Sequence, residues 1–183
     1  MTQPQGYTRT AIGLHWIIAF LIIAAFALGL VMTDIPGFTM MKLKYYSWHK
    51  WLGVTVFFLA IVRVAWRLMF TPPPLDASIS RLQQVAAHGL HMLLYVLIFA
   101  VPLSGYFYSL SAGFPIVYLG IIPIPSLIGP HPELADSLKE VHVVLVYTMA
   151  ALVGLHVLAA LKHHIIDRDT TLTRMLPFLN KRS

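Results

Sequence analysis

The sequence predicts an all-α integral membrane protein, a four-helix bundle with both termini on the cytoplasmic side. Three observations predict it. Only 11% of the 183 residues are charged and the mean hydropathy is +0.75, whereas ordinary soluble domains carry about 25% charged residues. Four apolar segments, at 11–32, 48–69, 85–108 and 138–164, are each long enough to cross a hydrocarbon layer of about 30 Å, which takes about 20 helical residues. Segments this long and continuous satisfy their own backbone as helices, the requirement that lipid imposes. Finally, the basic residues alternate sides. With the N-terminus inside, the cytoplasmic side holds Arg9, Arg63, Arg67, Arg81, Lys162, Arg168, Arg174, Lys181 and Arg182, and the outer side only Lys42, Lys44, Lys50 and Lys139. Nine against four favours both termini in the cytoplasm by the positive-inside rule.

Each element follows in order. The first apolar segment contains Ala25-Phe26-Ala27 behind Arg9, a pattern seen at signal-peptide cleavage sites. Its length exceeds the usual 7–15 apolar residues of such peptides, so a retained helix is expected. The second segment leads into an inner loop, 70–80, that opens with the stiff run Thr71-Pro72-Pro73-Pro74. The third segment ends in a long outer loop, 109–137, apolar yet interrupted by Pro115, Pro123 and Pro125. Proline at that density forbids a fifth helix, and the loop is expected to cap the bundle at the interface. No repeat or soluble domain stands out, so residues 1–183 read as one membrane-embedded domain.

Several functions are excluded early. The chain has no cysteine, which removes disulfides, thiolate metal sites and the C-x-x-C-H attachment of c-type haem. No phosphate-binding glycine loop, dinucleotide fingerprint or H-E-x-x-H occurs. The net charge of +6 does not imply nucleic acid, because the basic residues flank apolar runs instead of forming one patch.

The histidines carry the functional signal. Polar side chains within a membrane span are costly and usually functional. His142 and His156 lie fourteen residues apart on the fourth segment, within about 40° of the same face and about 21 Å apart along the axis. Because successive helices alternate direction, His15 matches the depth of His156, and His49, opening the second segment, matches His142. Two facing pairs result, one per leaflet. Imidazoles aimed at each other within a bundle form a typical cofactor site. Haem fits best, since its iron takes axial histidine and the site is apolar. Zinc or copper transport would bring carboxylates or sulfur into the helices, and the seven acidic residues stay at or beyond the segment ends.

His88 and His91, one turn apart at the inner start of the third segment, compete with His15 for His156. No outer histidine accompanies them, and their position suits interfacial bonding or a haem propionate. Arg63 and Arg67, four apart near the inner end of the second segment, either snorkel to lipid phosphates or pair with a propionate. His131 reads as solvated and His164 as turned to headgroups. His163, seven residues after His156, lies on nearly the same face at the inner boundary.

The chain resembles the bacterial cytochrome b561 family of small di-haem membrane proteins. The matching residues are Ile12-Gly13-Leu14-His15-Trp16, His49 with Gly53, Ala87-His88-Gly89-Leu90-His91 with Tyr95, Ser137-Leu138-Lys139 before His142, Gly154-Leu155-His156, and the tail from Lys162 to Pro177, KHHIIDRDTTLTRMLP. The resemblance implies two b-type haems, the inner held by His15 and His156 and the outer by His49 and His142. It also implies a role as a superoxide:ubiquinone oxidoreductase, oxidising periplasmic superoxide and reducing ubiquinone. The alternative is an electron-transfer subunit serving a partner redox protein without a substrate of its own. Lys42, Lys44, Lys50 and Lys139 would flank the outer haem, with Lys139 at the mouth, and a cationic mouth steers a small anion inward. For quinone the resemblance points to His163, which can bond a carbonyl oxygen or pass a proton. The stretch Asp167-Arg168-Asp169 would relay protons to it.

Overall fold

The computed structural model describes residues 6–74 and 79–179. The inner-loop positions 75–78 and the basic residues Lys181 and Arg182 of the charge argument lie outside the described residues. Four long helices run antiparallel: α1 Arg9–Asp34, α2 Met40–Met69, α3 Arg81–Ser111 and α4 Pro132–Lys162. All four are long and apolar enough to cross a membrane. The bundle is built from two hairpins, α1 packing mainly on α2 and α3 mainly on α4, with a lighter α2–α3 seam between them. Its chain-termini end gathers the start of α1, the end of α4 and the inner loop. Its opposite, cap end gathers the long loop between α3 and α4.

The helices start where side chains can absorb free amides. Thr8 caps α1 by accepting from the Ala11 amide, and Thr39 caps α2 by accepting from Lys42. Ser80 and Gln83 form a reciprocal capping box on α3. Pro132 occupies the first turn of α4, where its missing N–H costs nothing, with Glu133 beside it. These caps explain why α2 and α4 begin earlier than their apolar runs. His49 therefore does not open its helix: it is the tenth residue of α2, as His142 is the eleventh of α4. The depth match survives, because both ends moved together.

A small core of Ile18, Val56, Ala60, Leu97, Ile98 and Met149 fills the bundle axis. Phe20, Leu93, Val144 and Leu158 face outward and stay exposed. An apolar exterior around a thin interior is the arrangement lipid permits, since burying apolar area gives no net drive there. Ala25-Phe26-Ala27 lies within α1, far from either of its ends.

The long loop forms no fifth helix. It folds into a two-stranded antiparallel hairpin, β1 Val117–Tyr118 with β2 Ile122–Pro123, turning through Leu119 and Gly120 at φ 53° and 73°. Two consecutive left-handed residues are what a type I′ hairpin turn requires. Trp51 Nε1 donates to the Val117 carbonyl (2.8 Å), the Thr55 and Tyr118 hydroxyls meet at 2.9 Å, and Tyr106 donates to the Pro125 carbonyl (2.6 Å). The loop is thus fastened to both α2 and α3 as a cap.

Beyond Lys162 the helix widens into a π-turn, His163–Asp167, and Arg168 reverses the chain in left-handed backbone (φ 55°). The tail then folds over the termini end. Trp16 Nε1 donates to the Met175 carbonyl at 2.9 Å, and Arg174 donates to the Pro74 carbonyl.

Candidate functional site

The four histidines singled out by spacing meet in two pairs. His49 and His142 have ring centres 6.2 Å apart at the cap end, and His15 and His156 have theirs 6.3 Å apart at the termini end. With a metal–imidazole bond of about 2 Å and about 1.1 Å from nitrogen to ring centre, imidazoles on opposite sides of one ion have centres roughly 6.3 Å apart. Both pairs have that spacing. The ring planes cross at 89° and 70°.

The cap-end pair is finished by a device used twice. His49 on α2 donates from Nδ1 to the Ala25 carbonyl of α1 at 3.0 Å. His142 on α4 donates from Nδ1 to the Val101 carbonyl of α3 at 3.1 Å, shared with the Ser104 hydroxyl at 3.0 Å. A carbonyl can only accept, so Nδ1 carries the proton and Nε2 keeps the lone pair that binds a metal. One turn after each accepting carbonyl stands a glycine against the ring. A Cβ at Gly29 would lie 3.4 Å from His49 Cε1, and one at Gly105 only 2.9 Å from His142 Cε1. The pair opens onto a cavity of about 1190 Å³ whose walls include Phe26, Gly53, Phe57, Pro102 and Tyr106.

The termini-end pair has other neighbours. Arg63 donates to the Ala11 carbonyl (3.0 Å) and points a second nitrogen at His15 Nδ1 (3.4 Å). Arginine only donates, so in this arrangement His15 accepts at Nδ1. His91 stands beside the pair, its ring centre 5.3 Å from that of His156. That is about 1 Å too short for opposite ligands of one ion by the same bond lengths. His88 turns back and donates to the Gln84 carbonyl of its own helix at 2.7 Å. Arg67 lies over the Tyr95 ring at 5.6 Å, and with Arg63, Trp66 and Tyr95 it lines a smaller cavity of about 310 Å³.

The outer lysines divide. Lys42 is tied to the Ile35 carbonyl (2.8 Å), and Lys50 bonds the Phe114 carbonyl (3.3 Å) with its ammonium 5.7 Å from that ring. Both line the large cavity, whereas Lys44 and Lys139 are exposed. At the other end His163 does not stand alone: Asp169 Oδ2 lies 2.6 Å from its Nδ1 and Asp167 Oδ2 3.1 Å. Burial alone would raise the Asp169 carboxyl, but hydrogen bonds from Thr171 and His163 outweigh it and hold the group below the usual carboxylate range. His131 is exposed just before α4, and His164 is half-buried in the π-turn.

Sequence reasoning missed Ala25, Gly29, Val101, Ser104 and Gly105. A signal was available for two of them, because Ala25-x-x-x-Gly29 is the small-residue spacing that lets membrane helices approach closely.

Residues 6–178 match the family model described as prokaryotic cytochrome b561. The chain is 34% identical over 173 residues to cytochrome b561 homolog 2 of Escherichia coli (strain K12), covering 94% of this chain and 92% of that protein. It is 31% identical over 177 residues to a probable superoxide oxidase, CybB, of Yersinia pestis, covering 94% and 97%. Cytochrome b561 homolog 1 of E. coli K12 is 28% identical over 171 residues, covering 93% and 97%. The chain belongs to the prokaryotic cytochrome b561 family, whose members are membrane electron-transfer proteins carrying b-type haem. The residues present fit that group: paired imidazoles at axial spacing, a cavity beside one pair, and two glycines that leave room for the rings.

Proposed function

We propose that this member of the prokaryotic cytochrome b561 family is a single domain that carries electrons between the faces of a bacterial inner membrane through two b-type haems. His49 and His142 hold one, and His15 and His156 hold the other. The observation that carries the reading is the recurrence of one axial spacing, 6.2 and 6.3 Å, at two depths of the bundle. When bound, such a haem would supply one-electron transfer, and the two imidazoles of each pair would hold its iron.

The chain's own residues supply the rest. The Ala25 and Val101 carbonyls keep the protons of His49 and His142 on Nδ1, so each Nε2 is ready as a ligand without rearrangement. Arg63 and Arg67 are the cations placed for haem propionates at the termini end. Freed from His15 by a propionate, Arg63 would also let Nδ1 of that ring regain its proton.

We assign the termini end to the cytoplasm, from the basic residues gathered there. The donor at the cap end is superoxide, oxidised to oxygen, and the acceptor is ubiquinone, reduced near His163. Resemblance to a relative named as a probable superoxide oxidase supports this, as do four lysines at the cap end. Lys42 and Lys50 give the cavity a fixed positive wall, and Lys44 and Lys139 are free to steer an anion. The tethering of Lys42 and Lys50 to backbone carbonyls favours a second reading in part, a cap built to dock a redox protein.

One experiment decides. The purified haem-loaded protein should show a b-type reduced-minus-oxidised spectrum with about two haems per chain, and consume superoxide only when a ubiquinone is added. No turnover without a partner protein sinks the superoxide reading and favours the docking one. Absence of the b-type band removes both.

A further inference from the structure

The sequence places Asp167 and Asp169 symmetrically about Arg168, as two equal candidates for a proton relay. The fold treats them differently. Because the π-turn and the left-handed Arg168 reverse the chain, Asp169 returns against His163, with its side chain only 4% exposed. One of its oxygens lies 2.6 Å from His163 Nδ1, and the other accepts the Thr171 amide at 2.8 Å. Asp167 also reaches that nitrogen, at 3.1 Å, but it is 29% exposed and both its oxygens are held by Lys162 Nζ at 2.6 and 2.9 Å. Among the described residues, the charged groups facing the imidazole are these two carboxylates, with Lys162 behind Asp167.

A carboxylate only accepts, so a fixed carboxylate at Nδ1 decides which imidazole nitrogen exchanges protons. Lys162 already neutralises Asp167, which leaves Asp169 as the charge that can balance an imidazolium. Seven residues carry His163 about 10 Å beyond His156, on nearly the same helix face.

We propose that Asp169 is a positioning residue: it holds the His163 proton on Nδ1, so that Nε2 is the atom that delivers protons to reduced ubiquinone. The proposal rests on the quinone reading above. The balance is one quinone, two electrons, which bound haem would supply one at a time, and two protons, giving one quinol. In each protonation the Nε2–H bond breaks, its electron pair stays on nitrogen, and an O–H bond forms on the quinone. A solvent proton from the termini side, passed on by hydronium that is left as water, then restores the Nε2–H bond, and Asp169 stays ionised throughout.

The test uses the full-length haem-loaded protein and Asp169→Asn, which keeps the shape but offers a donor as well as an acceptor. With ¹⁵N-labelled histidine and His163→Gln for assignment, the wild-type neutral ring should carry its proton on Nδ1. Asp169→Asn should move population to the Nε2–H tautomer. Oxidation of pre-reduced protein by decylubiquinone should slow by about 10²-fold, the scale of a lost proton-transfer group, with haem content unchanged. Asp167→Asn should change the rate less than about twofold, the small effect expected of a solvated ion pair. Asp169→Glu, which keeps the charge, should retain the Nδ1–H tautomer and recover most of the rate. An unchanged tautomer in Asp169→Asn, or an equal loss in Asp167→Asn, overturns the proposal. Failure of the wild type to reduce decylubiquinone overturns the quinone reading instead, and the tautomer measurement still judges Asp169.

Discussion

The two histidine pairs have the same separation and opposite surroundings. At the cap end each ring donates to a backbone carbonyl of the neighbouring helix in its own hairpin, and a glycine one turn later makes room for it. At the termini end an arginine faces His15, and a third imidazole, His91, crowds His156. Helix register sets the separation of a pair, but the contacts behind the rings set which nitrogen is free. The cap-end pair is therefore organised for a metal in advance. The termini-end pair needs Arg63 to turn away before His15 can ligate through Nε2 with its proton on Nδ1.

The harshest way to break the comparison is to remove ligands. His142→Ala and His15→Ala should each take the haem content from about two per chain to about one, measured by pyridine haemochrome against protein. His91→Ala should leave it near two, because a 5.3 Å separation is too short for an opposite ligand. Loss of a haem in His91→Ala, with retention in His15→Ala, would reverse the termini-end pairing.

Glycine substitution comes next and separates the two cap-end rings. Gly105→Ala puts a methyl 2.9 Å from His142 Cε1, closer than carbon atoms tolerate, so the ring or α3 must shift. Overpacking of this kind costs about 1–3 kcal/mol, and it falls directly on a ligand. Loss of most of the cap-end haem is expected. Gly29→Ala meets His49 at 3.4 Å and should retain the haem, with a small drop in melting temperature. Equal effects would mean that the glycines serve helix approach alone.

These glycines also show what sequence could and could not convey. The four spans and the two depth-matched pairs were legible because lipid allows few alternatives: apolar runs must be helices, and a histidine's depth follows from counting residues. The starts of α2 and α4 were misplaced because Lys42 and Lys44, and Glu133 and Asp136, interrupt the apolar runs in the first turns after Thr39 and Pro132. Val101 could not be found by residue type at all, and at Ala25 the small-residue spacing marks a close helix approach but not the carbonyl that accepts from His49. Arg63 was legible as a cation near the inner end of the second span, but its contact with His15 depends on side-chain direction. Asp169 was visible only as half of a symmetric pair until the reversal at Arg168 distinguished it from Asp167.

A finer cut compares the contacts behind the ligands. Ser104→Ala removes one of two acceptors for His142 Nδ1 and leaves the Val101 carbonyl in place. One hydrogen bond is worth about 1 kcal/mol, roughly 40 mV for one electron, and the cap-end potential should move by no more than that in a redox titration. Arg63→Gln removes a cation beside the termini-end pair and should lower the other potential by a comparable or larger amount, since a positive charge favours the reduced state. If Ser104→Ala shifted the termini-end haem instead, the assignment of potentials to ends would be inverted.

The smallest expected effect is one of pH, and it belongs to the termini end alone. The cap-end anchors are carbonyls and do not titrate, whereas the tail is fastened through Asp169 to Thr171 and His163. Because the Asp169 carboxyl is held below its ordinary range in the folded protein, its stabilisation is fully present above the unfolded value of about 3.9. It is lost only as pH falls through the lower folded value. Between pH 5 and 8 this contact should therefore stay unchanged. Below about pH 4 the Thr171 amide resonance should shift and its exchange protection fall, while the His49 and His142 ring contacts persist until haem is lost. A Thr171 transition with its midpoint above that unfolded value would mean that Asp169 is raised, not lowered, by its burial, and that the contact is too weak to hold either the tail or His163.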